Sequence, residues 1–218
     1  MKGSDLSKRH FMAAMASAVP TAYWLGPIAF AASAVKVTAV LGQPAPSFEV
    51  IDASNKQRAL AEFKGKPVVL EWSSPSCPFA KAQYVSGRMP GLQKWATENG
   101  IVWLTVLSSH PSRSDYLEAT KAGAFNSRRG GVPTALLIDA TGDVGHAYGA
   151  KTANPMFVVD GQGVLVYAGG IDDGETMNPQ KVLAAHNYVR PVLEDVLAQR
   201  AVRTAITSPF GCSLAYAG

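Results

Sequence analysis

Cysteine is scarce in this chain: Cys77 and Cys212 are the two in 218 residues. Two thiols allow one bridge, a redox pair or two separate sulfurs, and they exclude a scaffold held together by many disulfides. Charged residues are also few, 17% of the total. No basic run with interleaved aromatic residues occurs, so a nucleic-acid partner is not expected. The patterns His-Glu-x-x-His, Cys-x-x-Cys and the Gly-rich loop ending in Lys-Ser/Thr are missing. His10, His110, His146 and His186 stand apart from one another. The acidic, Gly-rich stretch 169–175 lacks the regularly alternating oxygens of a calcium loop and reads as a surface loop. No metal site and no cofactor are expected, and there is no internal repeat.

What is present is ordinary for a folded domain: 47% hydrophobic residues, enough for a sizeable core. The net charge is +4, and Lys2, Lys8 and Arg9 against Asp5 place half of it at the N-terminus. Lys8-Arg9 precede an uncharged, Ala-rich stretch over 11–32, and Ala32-Ser33-Ala34 offers a small-x-small cleavage pattern. Residues 1–34 therefore read as an export signal peptide. The run from Ser7 to Met12 is similar to a twin-arginine motif with Lys in the first arginine position. An uncleaved leader is the alternative and would be the only contact with a membrane, although Pro20, Gly26 and Pro27 interrupt a continuous helix. The folded part is expected in an oxidising compartment, a periplasm.

Residues 35–46 read as a linker, 47–201 as a single α/β domain and 202–218 as an irregular tail carrying Cys212. Within the domain, strands are expected at 48–51, 68–72, 101–107, 134–138 and 156–159, with 164–168 returning as a hairpin across Asp160-Gly161-Gln162-Gly163. Helices are expected from Cys77-Pro78 towards Ala96, bent near Gly87 and Pro90, then at 112–124 and 179–201. Strands alternating with helices and ending in a hairpin and a helix give a mixed sheet covered on both faces.

Cys77 lies where a buried strand passes through a polar Ser-rich loop into a helix opened by Pro78. Backbone N–H groups are unpaired at such a helix start, and the helix dipole adds positive potential. Both favour thiolate over thiol, and the thiolate is the reactive form. A buried, inert cysteine is the alternative.

The run Val68-Val69-Leu70-Glu71-Trp72, the loop to Cys77-Pro78-Phe79, Tyr148-Gly149, and Pro155 to Asp160 with Gly163 resemble the peroxiredoxin-like branch of the thioredoxin superfamily, the alkyl hydroperoxide reductase and thiol-specific antioxidant group. The resemblance extends over most of 44–216, and Pro209-Phe210-Gly211-Cys212-Ser213 is similar to the ending of a peroxiredoxin-like subgroup. It implies a thioredoxin-like fold, a peroxidatic-type Cys77, and a substrate that is a peroxide or a protein or small-molecule disulfide, with a thiol reductant. It also implies that Ser74 and Pro78 border the substrate and that Pro155, with Pro133 of Val132-Pro133-Thr134 as the rival, stands beside Cys77. The Asn154 backbone would then be within reach of an extended substrate. Leu70 stands where the family carries proline, and Asn154 where it carries arginine, so the guanidinium that polarises a peroxide is not supplied at that position.

Cys212 is open to three roles: resolving an oxidised Cys77, a permanent structural bridge, or a bridge to another subunit. The chain accordingly reads as an exported thiol-dependent oxidoreductase. The alternatives are a non-catalytic thioredoxin-fold domain stapled by Cys77–Cys212 and a copper-handling module.

Overall fold

A computed structural model describes residues 38–216. The export signal expected over 1–34 lies outside the described residues. Seven strands form one sheet in the order β2-β1-β5-β4-β3-β6-β7. They are β1 (Glu49–Asp52), β2 (Gln57–Ala59), β3 (Val68–Trp72), β4 (Val102–Leu107), β5 (Ala135–Ile138), β6 (Met156–Val159) and β7 (Leu165–Gly169). The central trio β5-β4-β3 is parallel, and the flanking pairs are antiparallel. The helices are α1 (Pro78–Val85), α2 (Arg88–Glu98), α3 (Ala119–Arg128), α4 (Asp143–Tyr148), α5 (Pro179–Ala184) and α6 (Val189–Leu197). This is the mixed, two-layer-covered α/β sheet of a thioredoxin-like fold.

The central strands are buried along their whole length, as their near-continuous apolar runs require of strands covered on both faces. Alternation along β3 divides the core. Val68, Leu70 and Trp72 join Leu104, Val106 and Phe157 on one face. Val69 joins Trp103, Met156, Val158 and Tyr167 on the other. Each fully buried side chain of this size contributes about 1.5–3 kcal/mol relative to exposure, and both tryptophan N–H groups find acceptors, as buried indoles must. Trp72 donates to Ser108 Oγ at 2.9 Å and Trp103 to Glu71 Oε2 at 2.8 Å.

Several expectations change in detail. The long first helix is two helices, broken where Gly87 takes the left-handed conformation at φ 81°. The second helix starts later, at Ala119 rather than 112. Asp115 there accepts from Ser74 and Ser109, and the His110 ring bonds Ser112, so side chains hold residues 109–116 in turns instead of a helix. The closing helix is split into α5 and α6. The backbone between them is drawn to the sheet edge, where Tyr188 N–H donates to Ile171 O at 2.9 Å and Asn187 bridges Asp172. Strand β2 and helix α4 are elements that the sequence reading missed. Residues 42–45, read as part of a linker, instead lie along the β6–β7 hairpin. Gly42 N–H donates to Leu165 O at 2.8 Å, Leu165 N–H to Gln43 O at 3.0 Å, and Ala45 N–H to Gly163 O at 2.9 Å.

Candidate active site

The carboxyl ends of β3, β4 and β5 point to one edge of the sheet, where open α/β folds place their sites. A hydrogen-bonded relay ties those ends together. Trp72 Nε1 donates to Ser108 Oγ, which donates to Asp139 Oδ2 at 2.6 Å. The Asp139 carboxylate then accepts from Val144 N and Gly145 N, the free amides of the first turn of α4. Such capping by a side chain from the preceding turn explains how so short a helix forms.

β3 leaves the sheet at Trp72 and delivers Cys77 to the start of α1. Cys77 is the residue immediately before the helix, with extended backbone, and Pro78 takes the first helical position. Cys77 N–H donates to Ser74 O at 3.3 Å, closing the loop, and Cys77 O accepts from Lys81 N at 2.9 Å, opening the helix. Cys77 is enclosed, 1% exposed, against Ala80, Ala153, Phe79 and Leu214.

What encloses it is the tail. Cys77 and Cys212 form an intrachain disulfide, with Cα atoms 5.6 Å apart and a sequence separation of 135. Ala168 and Ala205 pair at the β7 edge, Ala153 N–H donates to Cys212 O at 2.7 Å, Leu214 N–H to Lys151 O at 3.0 Å, and His110 N–H to Ala215 O at 2.9 Å. Cys212 N–H points at Cys77 Sγ, 3.3 Å away. Phe210 meets Phe79 edge-on at 6.0 Å, and Tyr216 stacks on His146 at 4.3 Å. Burial drives the Tyr216 hydroxyl well above its ordinary value, while it donates to Ala150 O at 2.6 Å. Gly211 sits at φ 135° directly against Ala153 O, where a Cβ would have no room.

The expected site residues are therefore distributed unequally. Cys77 and Cys212 are joined. Pro78 is exposed at the helix start. Ser74 is buried, and its hydroxyl is engaged by Ser76 at 3.2 Å and Asp115 at 3.1 Å. Asn154 is buried in the left-handed conformation at φ 83°, and its N–H is committed to Trp72 O at 2.9 Å. The backbone donor offered beside the sulfurs is that of Ala153, one residue earlier than expected. Pro155 follows with its carbonyl accepting from Trp72 N at 3.1 Å.

Arg129 escaped the sequence reading. It ends α3, donates from Nη1 to Ser73 Oγ at 2.7 Å and from Nε to Asn126 Oδ1 at 3.2 Å, and lies 3.6 Å above the Tyr84 ring centre. Behind Tyr84, Glu71 accepts from Tyr84 Oη at 2.7 Å, Gln93, Trp103 and Thr105. Desolvation, and then the Glu71 charge, push the Tyr84 hydroxyl well above its ordinary value, so Tyr84 serves as a donor.

A family model described as the AhpC/TSA family matches residues 41–168, a span that holds Cys77 and ends before Cys212. A comparison with curated protein sequences finds no match. Among solved structures, an uncharacterized conserved protein from Geobacillus kaustophilus superposes with a TM-score of 0.69 at 21% identity, covering 82% of this chain and 93% of that one. A hypothetical protein from Sinorhizobium meliloti gives 0.67 at 24% identity, covering 83% and 97%. The peroxidoxin BcpB from Mycobacterium tuberculosis gives 0.52 at 19% identity, covering 74% and 99%. At these identities the structural likeness bears on the fold.

Proposed function

The chain belongs to the AhpC/TSA family of the thioredoxin superfamily, and from that premise we propose that it is an exported thiol–disulfide oxidoreductase whose working couple is Cys77–Cys212. The observation that carries this reading is the asymmetry of the disulfide. Cys77 is sealed at the helix start, while Cys212, on the tail, is partly exposed.

An incoming thiolate therefore meets Cys212 Sγ. A new sulfur–sulfur bond forms there as the Cys77–Cys212 bond breaks, and the electron pair leaves on Cys77 Sγ. That leaving group is well placed, because the first turn of α1 presents unpaired N–H groups and a positive dipole end to it. A second substrate thiolate then attacks the substrate sulfur of the mixed disulfide. The substrate leaves as a disulfide, Cys212 departs as thiolate and takes a proton, and two electrons have passed to the protein. Run backwards, the same steps reduce a substrate disulfide.

Peroxide reduction by Cys77 fits the surroundings less well. The Ser74 hydroxyl is taken by Asp115 and Ser76, Arg129 is turned to Ser73 and Asn126, and position 154 carries an amide. An exported location agrees with an intrachain disulfide, which persists in oxidising compartments. The copper-handling alternative finds no support in this geometry, because both sulfurs are consumed in one bond.

The test is rapid acid quenching of the oxidised protein after mixing with excess glutathione, followed by peptide mass mapping. Glutathione on Cys212 with Cys77 free is the expected result. A bridge that resists millimolar dithiothreitol until the protein is unfolded would make the disulfide a structural staple and end the enzymatic reading. Turnover of hydrogen peroxide faster than disulfide exchange would move the activity to the peroxidase side of the family.

A further inference from the structure

Beside the Cys77 loop, a cleft of about 510 Å³ is lined by Ser74, Pro75, Lys81, Tyr84, Val85, Phe125, Arg128 and Arg129. We propose that this cleft binds an organic monocarboxylate carried on a flat apolar body, of the size of a two-ring aromatic acid. The inference does not rest on the exchange chemistry and holds for the oxidised protein as it stands.

Charge is the first argument. Three cations, Lys81, Arg128 and Arg129, face a lining with no carboxylate. Among the described residues none of the three takes part in an ion pair. The nearby acids are already occupied. Asp115 accepts from Ser74 and Ser109, and Glu71 lies behind the Tyr84 ring with four donors of its own. Like charges gathered in a lining that holds no carboxylate repel one another, and an anion entering the cleft relieves that repulsion.

The second argument is the state of Arg129. Its guanidinium is held between two aromatic rings, 3.6 Å from the Tyr84 centre and 4.5 Å from that of Phe125. It donates only to the neutral acceptors Ser73 and Asn126, and its enclosed Nη2 has no acceptor. A fixed guanidinium with an unspent donor is suited to a carboxylate, with which arginine forms charge-assisted paired bonds. An enclosed donor left without an acceptor is uncommon enough to call for a partner.

The third argument is the shape of the rest. Pro75, Tyr84, Val85 and Phe125 make an apolar wall, and Val85 is 63% exposed although it is a large aliphatic residue. The volume lies within the range of small-molecule sites, roughly 300–1,000 Å³. A charged rim over a partly aromatic wall selects for an acid with an apolar body over a small inorganic anion.

The test is calorimetric titration of 2-naphthoate into the oxidised protein, with 2-naphthylmethanol as the neutral isostere. Lys81→Glu/Arg128→Glu, both exposed positions, removes two of the cations without disturbing the core, and Lys64→Glu/Lys66→Glu gives the same change in net charge elsewhere. We expect 2-naphthoate to bind at least tenfold more tightly than the alcohol, to lose at least tenfold in the Lys81/Arg128 variant, and to be unchanged in the Lys64/Lys66 variant. Equal binding of acid and alcohol, equal loss in both variants, or no binding would each overturn the proposal. Because the disulfide stays closed throughout, none of these outcomes bears on the exchange activity.

Discussion

Replacing Cys212 by serine opens a covalent loop that spans almost the whole domain, and its effect on stability can be worked out in advance. With a sequence separation of 135 between the two cysteines, the chain-entropy treatment of a cross-link gives about 5 kcal/mol of stabilisation at 25 °C, through the restricted unfolded state. For a domain of this size each kcal/mol moves the midpoint by about 2–4 °C, so the serine variant should melt about 10–20 °C below the oxidised wild type. The same energy appears in a second measurement. By the thermodynamic cycle, whatever the bridge adds to folding the fold adds to the bridge, and about 5 kcal/mol corresponds to roughly 110 mV of resistance to reduction relative to the unfolded chain. Scanning calorimetry on the wild type and on Cys212→Ser checks the first figure. Glutathione redox titration with and without denaturant checks the second. A midpoint shift under about 5 °C, or two figures that disagree by more than a factor of two, would refute the loop-closure argument and show that the tail contacts, not the covalent link, dominate.

Gly211→Ala should prevent the tail from seating, because its Cβ has no room against Ala153 O; faster reduction of the disulfide by dithiothreitol, with little change in the melting of the reduced protein, is the expected pair of results. Asp195 is held at about 2 by hydrogen bonds from Arg203 and then Arg200, below the unfolded carboxylate at about 3.9. Its contribution is therefore complete above about pH 4 and lost as the pH falls through about 2, so Asp195→Asn should lower stability at neutral pH and flatten the urea midpoint between pH 4 and 2. Glu71→Gln turns an amide N–H₂ towards donors, since Tyr84, Gln93, Trp103 and Thr105 all give hydrogen bonds to this buried carboxylate. A loss of about 2–5 kcal/mol in urea denaturation is expected from the unsatisfied groups, and a loss under 1 kcal/mol would refute the role assigned to the network.

The legible parts of this protein were those governed by local rules. Val68–Trp72 and Val102–Leu107 are apolar runs interrupted only by Glu71 and Thr105, and strands covered on both faces bury such runs completely. Cys77 before Pro78 marked a helix start, and the sulfur is there. The parts that were not legible depend on partners distant in sequence. Helix α4 has six residues between two left-handed glycines and owes its first turn to the Asp139 carboxylate. The stretch before α3 is diverted by Asp115, whose partner Ser74 lies 41 positions earlier. Arg129 reaches the Cys77 loop through Ser73, 56 positions away, and nothing in the run Ser127-Arg128-Arg129-Gly130 announces that meeting.

The difference between Ala153 and Asn154 shows the same limit at the scale of one residue. The resemblance pointed to the Asn154 backbone, whereas the N–H that faces the tail is that of Ala153. Pro155 O accepts from Trp72 N and Asn154 N donates to Trp72 O, so β3 claims the polar groups of those two residues. Asn154 is left-handed at φ 83°, and the donor towards the tail is Ala153 N–H. Its bond to Cys212 O holds the tail against the backbone beside the sulfurs. In the exchange cycle proposed above, a partner thiol engages Cys212, which is partly exposed, before it reaches Cys77, which is 1% exposed.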